Sequence, residues 1–190
     1  MTFRTAMIVM ALAWLGGCNQ QGAQDAPSQS APLDAPAPQS QPSTVFAPSN
    51  EAAQNTTGQL TMSVTLRLPD AGAANTDQQE VLTLRGATGL VVEAVVTGAI
   101  SPATQVEGQT LRALLDIAVE EPQVLVYRVT NVTKPEGVQG LCGAEDAEYV
   151  VQWEPATPGA NAMRLLGTRG GAPGAGGARA CPMLDYTRGG

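Results

Sequence analysis

The nine residues from Leu60 to Leu68, LTMSVTLRL, alternate apolar and polar side chains without a break. A period of two places every apolar side chain on one face of a β-strand and every polar side chain on the other. This run therefore predicts a strand with one face against a core and the other in solvent, and it sets the expectation for the rest of the chain.

Similar short apolar segments follow, separated by Gly, Pro and Asn, and they predict strands at 80–85, 89–97, 123–132, 148–153, 162–166 and 183–186. The segment Thr110–Val119 is ambiguous, because its leucines fit both a helical stripe and an alternating strand. We favour the strand because its neighbours in sequence are strands. About eight short strands predict a mainly β fold, either an antiparallel sandwich or a small barrel, over residues 59–190.

The first eighteen residues have the pattern of an export signal. Met1–Arg4 carries a positive charge, and the ten residues from Ala6 to Leu15 are all apolar. Ten helical residues rise only about 15 Å, half the thickness of a bilayer core, so they are too short for a stable membrane span. Their length is that of a signal-peptide core.

The motif that follows, Leu15-Gly16-Gly17-Cys18, resembles the lipobox of bacterial lipoproteins. The resemblance implies that residues 1–17 are removed as a signal peptide and that Cys18 becomes a lipidated N-terminus. Several acyl chains on one residue make membrane attachment stable. The resemblance also implies an outer-membrane address over an inner-membrane one, because Asn19 is not the aspartate associated with inner-membrane retention.

Residues 18–58 are rich in Pro, Ala, Ser and Gln, and Phe46 is their only aromatic residue. Such a composition buries too little apolar surface to offset the entropy of ordering. The segment is therefore predicted to be a disordered tether between the lipidated N-terminus and the β-rich domain.

Cys142 and Cys181 are the two cysteines that remain once Cys18 is lipidated. An even pair in an oxidising compartment predicts one disulfide bond. Two metal-binding thiolates are the alternative, but no further ligands lie nearby in the sequence, and the chain has no histidine.

The absence of histidine also argues against catalysis, because it removes the commonest general base and the commonest zinc ligand. We expect no catalytic residue, no metal and no cofactor. The formal charge of −7 argues against a nucleic-acid partner, whose phosphates an acidic surface repels. Tyr127, Tyr149, Trp153 and Tyr186 are interpreted as core anchors.

These observations favour a non-enzymatic envelope lipoprotein whose β-rich domain binds or supports an envelope partner. One alternative is an enzyme that acts on envelope polymers through carboxylates alone, with a pair drawn from Glu120, Glu121, Glu145 and Asp146. The other is a structural subunit of an envelope assembly, which a large exposed apolar patch would favour.

Overall fold

A computed structural model describes residues 42–67, 79–117, 123–155 and 162–189. Over these ranges the protein is mainly β, and eight strands form a closed antiparallel barrel. The predicted fold class is therefore confirmed, and the barrel is the form it takes. The predicted signal peptide and Cys18 lie outside the described residues.

The barrel is an up-and-down barrel in which each strand is hydrogen-bonded to the strands next to it in sequence. Its strands are β1 (Ser43–Pro48), β2 (Leu60–Arg67), β3 (Gln79–Gly86), β4 (Val91–Ile100), β7 (Val124–Thr133), β8 (Tyr149–Trp153), β9 (Ala162–Arg169) and β10 (Arg179–Arg188). Pairing of β1 with β10 closes the barrel. Between β4 and β7 lie a small hairpin and a short helix: β5 (Gln105–Val106), β6 (Gln109–Thr110) and α2 (Leu111–Leu114).

Seven of the predicted strands are confirmed, with ends that differ by a few residues, but the strand predicted over Thr110–Val119 was wrong. Leu111–Leu114 form α2 instead, and the Thr110 hydroxyl caps it by accepting a hydrogen bond from the Ala113 amide. Leu111 and Leu115, four residues apart, are both fully buried. Side chains four residues apart lie on one face of a helix, so the helical conformation buries both leucines together.

The tether prediction was wrong for its last part. Residues 43–48 form β1, and Glu51–Thr56 form helix α1, whereas the segment before residue 42 lies outside the described ranges. Strand β1 pairs with β2 on one side and β10 on the other, and Phe46 is 1% exposed in the core. A strand held by two neighbours needs little apolar sequence of its own, which is why composition did not reveal it.

The inner face of the barrel is filled by apolar side chains at alternate positions. On β3 these are Leu82 and Leu84, which pair across the sheet with Val64 and Met62 of β2. Leu82 is fully buried, as are Leu165 on β9 and Tyr186 on β10. The barrel is therefore a packed core, as expected for eight strands.

A second core lies on the outer face of β7 to β10. Val126, Val151 and Leu166 pack there against the segment of residues 101–117, which contributes Leu111 and Leu115. Arg164 fastens this segment to β9, because its guanidinium donates hydrogen bonds to the carbonyl oxygens of Leu115 and Asp116. Parts of β7, β8 and β9 are thus buried on both faces.

Helix α1 and the disulfide lie at the end of the barrel where β1 leads into β2. Asn50 caps α1 by accepting a hydrogen bond from the Ala53 amide and ties it to β10 by donating to the Met183 carbonyl oxygen. The predicted disulfide between Cys142 and Cys181 is confirmed, with Cα atoms 4.9 Å apart. Both sulfur atoms lie within 3.3 Å of the position that a Cβ would occupy at Gly167, so a larger residue at this inward position of β9 would crowd the disulfide.

None of the helices within the described residues is both long enough and apolar enough to cross a membrane.

Removal of the disulfide is expected to destabilise the barrel by about 4 kcal/mol, because the bond closes a loop of roughly 40 residues in the unfolded chain. Urea unfolding of the Cys142→Ser/Cys181→Ser double variant measures this loss in the free energy of unfolding. Reductant should destabilise the wild-type protein to the same degree and leave the double variant unchanged. Equal stability of wild type and variant would contradict the prediction.

Phe46→Ala is expected to lower the free energy of unfolding by about 3–5 kcal/mol, because it leaves a cavity next to the strand pairing that closes the barrel. Val45→Ala is the matched control: Val45 is the next residue on β1, and it is 40% exposed. Its substitution should cost less than about 1 kcal/mol. Similar losses for the two variants, measured by urea unfolding, would show that β1 is not part of the stable barrel.

Candidate functional site

Apolar side chains are exposed at the end of the barrel opposite α1, which we call the rim. At the rim β2, β8 and β10 end and β3, β7 and β9 begin. Among the described residues the large apolar side chains that are exposed are Val45, Val64, Leu66 and Leu125. The last three lie on the inward-facing side of their strands, since Val64 pairs with Leu82, Leu66 with Glu80 and Leu125 with Gln152. The packed core thus continues into an exposed apolar lining.

Polar side chains interrupt this lining and bond to one another. The Tyr127 hydroxyl donates to Glu80 Oε1 over 3.1 Å, so the phenol is held against a carboxylate. Gln152 Nε2 donates to Glu154 Oε1 over 2.8 Å, and Arg188 donates to Glu154 Oε2 over 3.2 Å. We call these five residues the polar rim. Their ionised side chains are two carboxylates and one guanidinium, so the polar rim has a net charge of −1.

Burial raises the pKa of Tyr127 well above its ordinary value of 10, and the negative charge of Glu80, the hydrogen bond to Glu80 and the charge of Glu154 raise it further. Each of these effects disfavours the phenolate. Tyr127 is therefore protonated at neutral pH and donates its hydrogen bond to the Glu80 carboxylate.

A cavity of about 270 Å³ opens at the rim between the start of β7 and the end of β8. We call it the rim cavity; its lining residues are Gln123, Val124, Leu125, Gln152, Trp153 and Glu154. Gln152 and Trp153 are only 8% and 7% exposed. Gln152 Oε1 and Trp153 Nε1 are the two buried side-chain polar atoms of the described residues that have no hydrogen-bond partner. Buried polar atoms without partners are rare in folded proteins and call for a specific explanation.

The carboxylates proposed from sequence as an acid/base pair lie elsewhere. Glu145 forms an ion pair with Arg169, and Asp146 forms one with Lys134. Both carboxylates are well exposed, at 62% and 48%, and they line a surface cavity of about 370 Å³ beside Glu148 and Arg179. The other two candidates, Glu120 and Glu121, lie outside the described residues.

The prediction that the large aromatic rings anchor the core is confirmed for three of the four residues. Tyr127, Trp153 and Tyr186 are at most 7% exposed, and Tyr149 is partly buried against the outer core. Trp153 lies beneath the guanidinium of Arg164, 5.2 Å from the ring centroid. Its ring is thus packed as expected, but its indole nitrogen has no hydrogen-bond partner.

The polar rim was not predicted from the sequence, although one signal was present. Glu80 has the same parity as Leu82 and Leu84, and Gln152 has the same parity as Val150. A polar residue at a position where a predicted strand should carry an inward-facing apolar side chain indicates either the end of the strand or a functional site. Arg188 of β10 reaches Glu154 after β8 across the intervening strand β9, a contact that depends on the tertiary structure.

Comparison with known proteins gave no match: no protein-family model, no curated protein and no solved structure matches this chain.

Tyr127→Phe is expected to make stability less sensitive to alkaline pH. The folded state holds this phenol protonated, whereas an unfolded tyrosine ionises near pH 10, so its contribution is complete below pH 10 and is lost as the pH rises above 10. Urea unfolding at pH 8, 10 and 11 measures the decline, which should be smaller in the variant than in wild type.

Tyr186→Phe provides a comparison at the α1 end, where burial raises the pKa of Tyr186 to about 12, partly offset by its hydrogen bond with Thr57. It should lessen the decline between pH 10 and 12 in the same way, and the double variant should show both effects. A decline as steep as wild type in Tyr127→Phe would contradict the inferred state of the rim.

Proposed function

We propose that the protein is a lipoprotein of the bacterial cell envelope, attached to a membrane through lipid on Cys18, with the outer membrane as its expected address. Its barrel binds an envelope partner through the rim and catalyses no reaction. The observation that carries the binding role is the exposure of inward-facing Val64, Leu66 and Leu125 at the same end of the barrel as the polar rim.

Two features of the sequence support the address. The LGGC motif ends directly at Cys18, after an apolar run of signal-peptide length. The disulfide between Cys142 and Cys181 fits an oxidising compartment, such as the one that an exported chain enters.

The geometry of the rim supports binding. Mouths of β-barrels are common ligand sites, because the strands hold a ring of side chains rigidly around an opening. Here the opening combines an apolar lining with the hydrogen-bonding groups of the polar rim, the combination that gives a site both affinity and orientation. Leu66, at 66% exposed, is the most accessible of the inward-facing apolar side chains.

Two features support a role without catalysis. The chain contains no histidine, so the commonest general base is missing. At the polar rim each oxygen of Glu154 accepts a hydrogen bond, and Glu80 accepts one from Tyr127, which favours fixed carboxylates over freely exchanging acids and bases.

Photo-crosslinking from the rim tests the binding role in bacterial cells that produce the full chain. With Val64→p-benzoylphenylalanine we expect one discrete adduct, identified as an envelope component by mass spectrometry. Val45→p-benzoylphenylalanine is the matched control, since Val45 is 40% and Val64 38% exposed but Val45 does not face the barrel interior. Equal adducts from the two positions, or none from either, would contradict a binding role for the rim.

The Cys18→Ala version of the same chain tests the anchor in the same experiment. It should leave the membrane fraction, and its adduct yield should fall because the barrel is no longer concentrated at the envelope. Retention of the Cys18→Ala chain in the membrane fraction would contradict lipid attachment at Cys18.

A further inference from the structure

The chain enters the barrel at the rim. Strand β1 begins there at Ser43 and runs away from the rim towards α1. Ser43 pairs with Ser63 of β2, so the first residue of the barrel lies beside the residue that precedes Val64. The part of the chain that leads back to Cys18 therefore joins the barrel at the end where the inward-facing apolar side chains are exposed.

Strands β2 and β3 project past this entry point. Pairing of β2 with β1 ends at Ser63, whereas pairing of β2 with β3 continues as far as Arg67 and Gln79. The last four residues of β2, which we call the projecting end, add a length of about 13 Å along the strand. Strand β1 does not flank them, and Val64 and Leu66 on the projecting end are 38% and 66% exposed.

The side chains of the projecting end suit a lipid surface. Val64 and Leu66 point to one side of the strand, because residues two apart share a face. Arg67 follows them, is exposed, and forms no ion pair with any residue that the structure describes. Exposed apolar side chains next to a long cationic one fit a membrane interface, where the former enter the acyl region and the guanidinium stays at the phosphates.

Attachment at Cys18 makes weak docking sufficient. About 25 residues separate Cys18 from Ser43, and they span at most about 90 Å, so the barrel stays close to the membrane that holds the lipid. A short linker turns the second contact into an intramolecular one, with an effective concentration on the order of millimolar. A few apolar side chains, too few to hold a free protein on a bilayer, are enough under this condition.

We propose that the rim docks onto the lipid surface of the membrane that anchors the chain, with Val64 and Leu66 against acyl chains and Arg67 at phosphate groups. This inference rests on the proposed lipid attachment at Cys18, and it names phospholipid as the partner of the rim. Docking in this way orients the barrel, because helix α1 and the disulfide lie at the opposite end and face away from the membrane.

The test uses the chain as cells produce it, extracted from membranes and reconstituted into vesicles of phosphatidylethanolamine and phosphatidylglycerol. Trp14→Phe and Trp153→Phe remove the native tryptophans, and Leu66→Trp then places one indole on the projecting end. Asn55→Trp is the matched control, because Asn55 is an exposed residue of α1. Phospholipids brominated on their acyl chains quench an indole only on contact.

We expect the brominated lipids to remove most of the emission of the Leu66→Trp chain, with a blue shift in unbrominated vesicles, and to leave the Asn55→Trp chain unquenched. Quenching at both positions would show that the barrel has no preferred orientation. That result, or quenching at neither position, would overturn the proposal.

A charge at the projecting end tests whether the apolar side chains make the contact. In the Leu66→Trp chain, Val64→Glu should reduce quenching to the level of Asn55→Trp, because a carboxylate is costly to move out of water and is repelled by phosphatidylglycerol. Val45→Glu is the control and should leave quenching unchanged, since Val45 is 40% exposed but does not face the barrel interior. Thermal unfolding shows whether each variant is folded, and Val64→Ser is used if Val64→Glu is not. Unchanged quenching in the folded variant would overturn the proposal.

Crosslinking in cells separates this inference from the proposed function. Benzophenone inserts into aliphatic C–H bonds, so lipid contact should give Val64→p-benzoylphenylalanine a phospholipid adduct. A protein adduct without quenching of the Leu66→Trp chain overturns this inference alone and supports a protein partner for the rim. Retention of the Cys18→Ala chain in the membrane fraction overturns the lipid attachment, whereas quenching of the Leu66→Trp chain decides lipid contact by itself.

Discussion

Closure of the barrel by β1 is the constraint on which the rest of the structure depends. Without β1, strands β2 and β10 would be exposed sheet edges; β1 hydrogen-bonds to both of them. Closure also fixes which side of each strand faces inward, since a register shift of one residue would turn the apolar side chains outward. The core, the rim and the wall covered by residues 101–117 all follow from that assignment.

The two ends of the barrel differ in how completely their buried polar groups are hydrogen-bonded. At the α1 end, Asn50 caps a helix and bonds to β10, Thr57 bonds to Tyr186, and a disulfide joins Cys142 to Cys181. At the rim, apolar side chains are exposed, and two buried polar atoms lack partners. A fold whose polar groups are well satisfied at one end can tolerate unsatisfied groups at the other.

The candidate site could be predicted only in part. Glu80 and Gln152 were visible as polar residues in register with apolar strand positions, but a strand end gives the same pattern. Burial of Gln152 and Trp153 depends on neighbours from other strands, and the contact between Arg188 and Glu154 joins β10 to the end of β8 across β9. Such contacts leave no periodic signal in the sequence, because they depend on the curvature and stagger of the closed sheet.

The sequence by itself determined seven of the barrel strands, the mainly β class and the cysteine pair, because alternation and composition are local features of the chain. It failed at β1 and at α2. Six residues with one aromatic, Phe46, became a strand because two neighbours supplied hydrogen bonds. Leu111–Leu114 turned helical because that conformation buries Leu111 and Leu115 together. Tertiary structure alone decided these elements and the rim, since each depends on burial between segments distant in sequence.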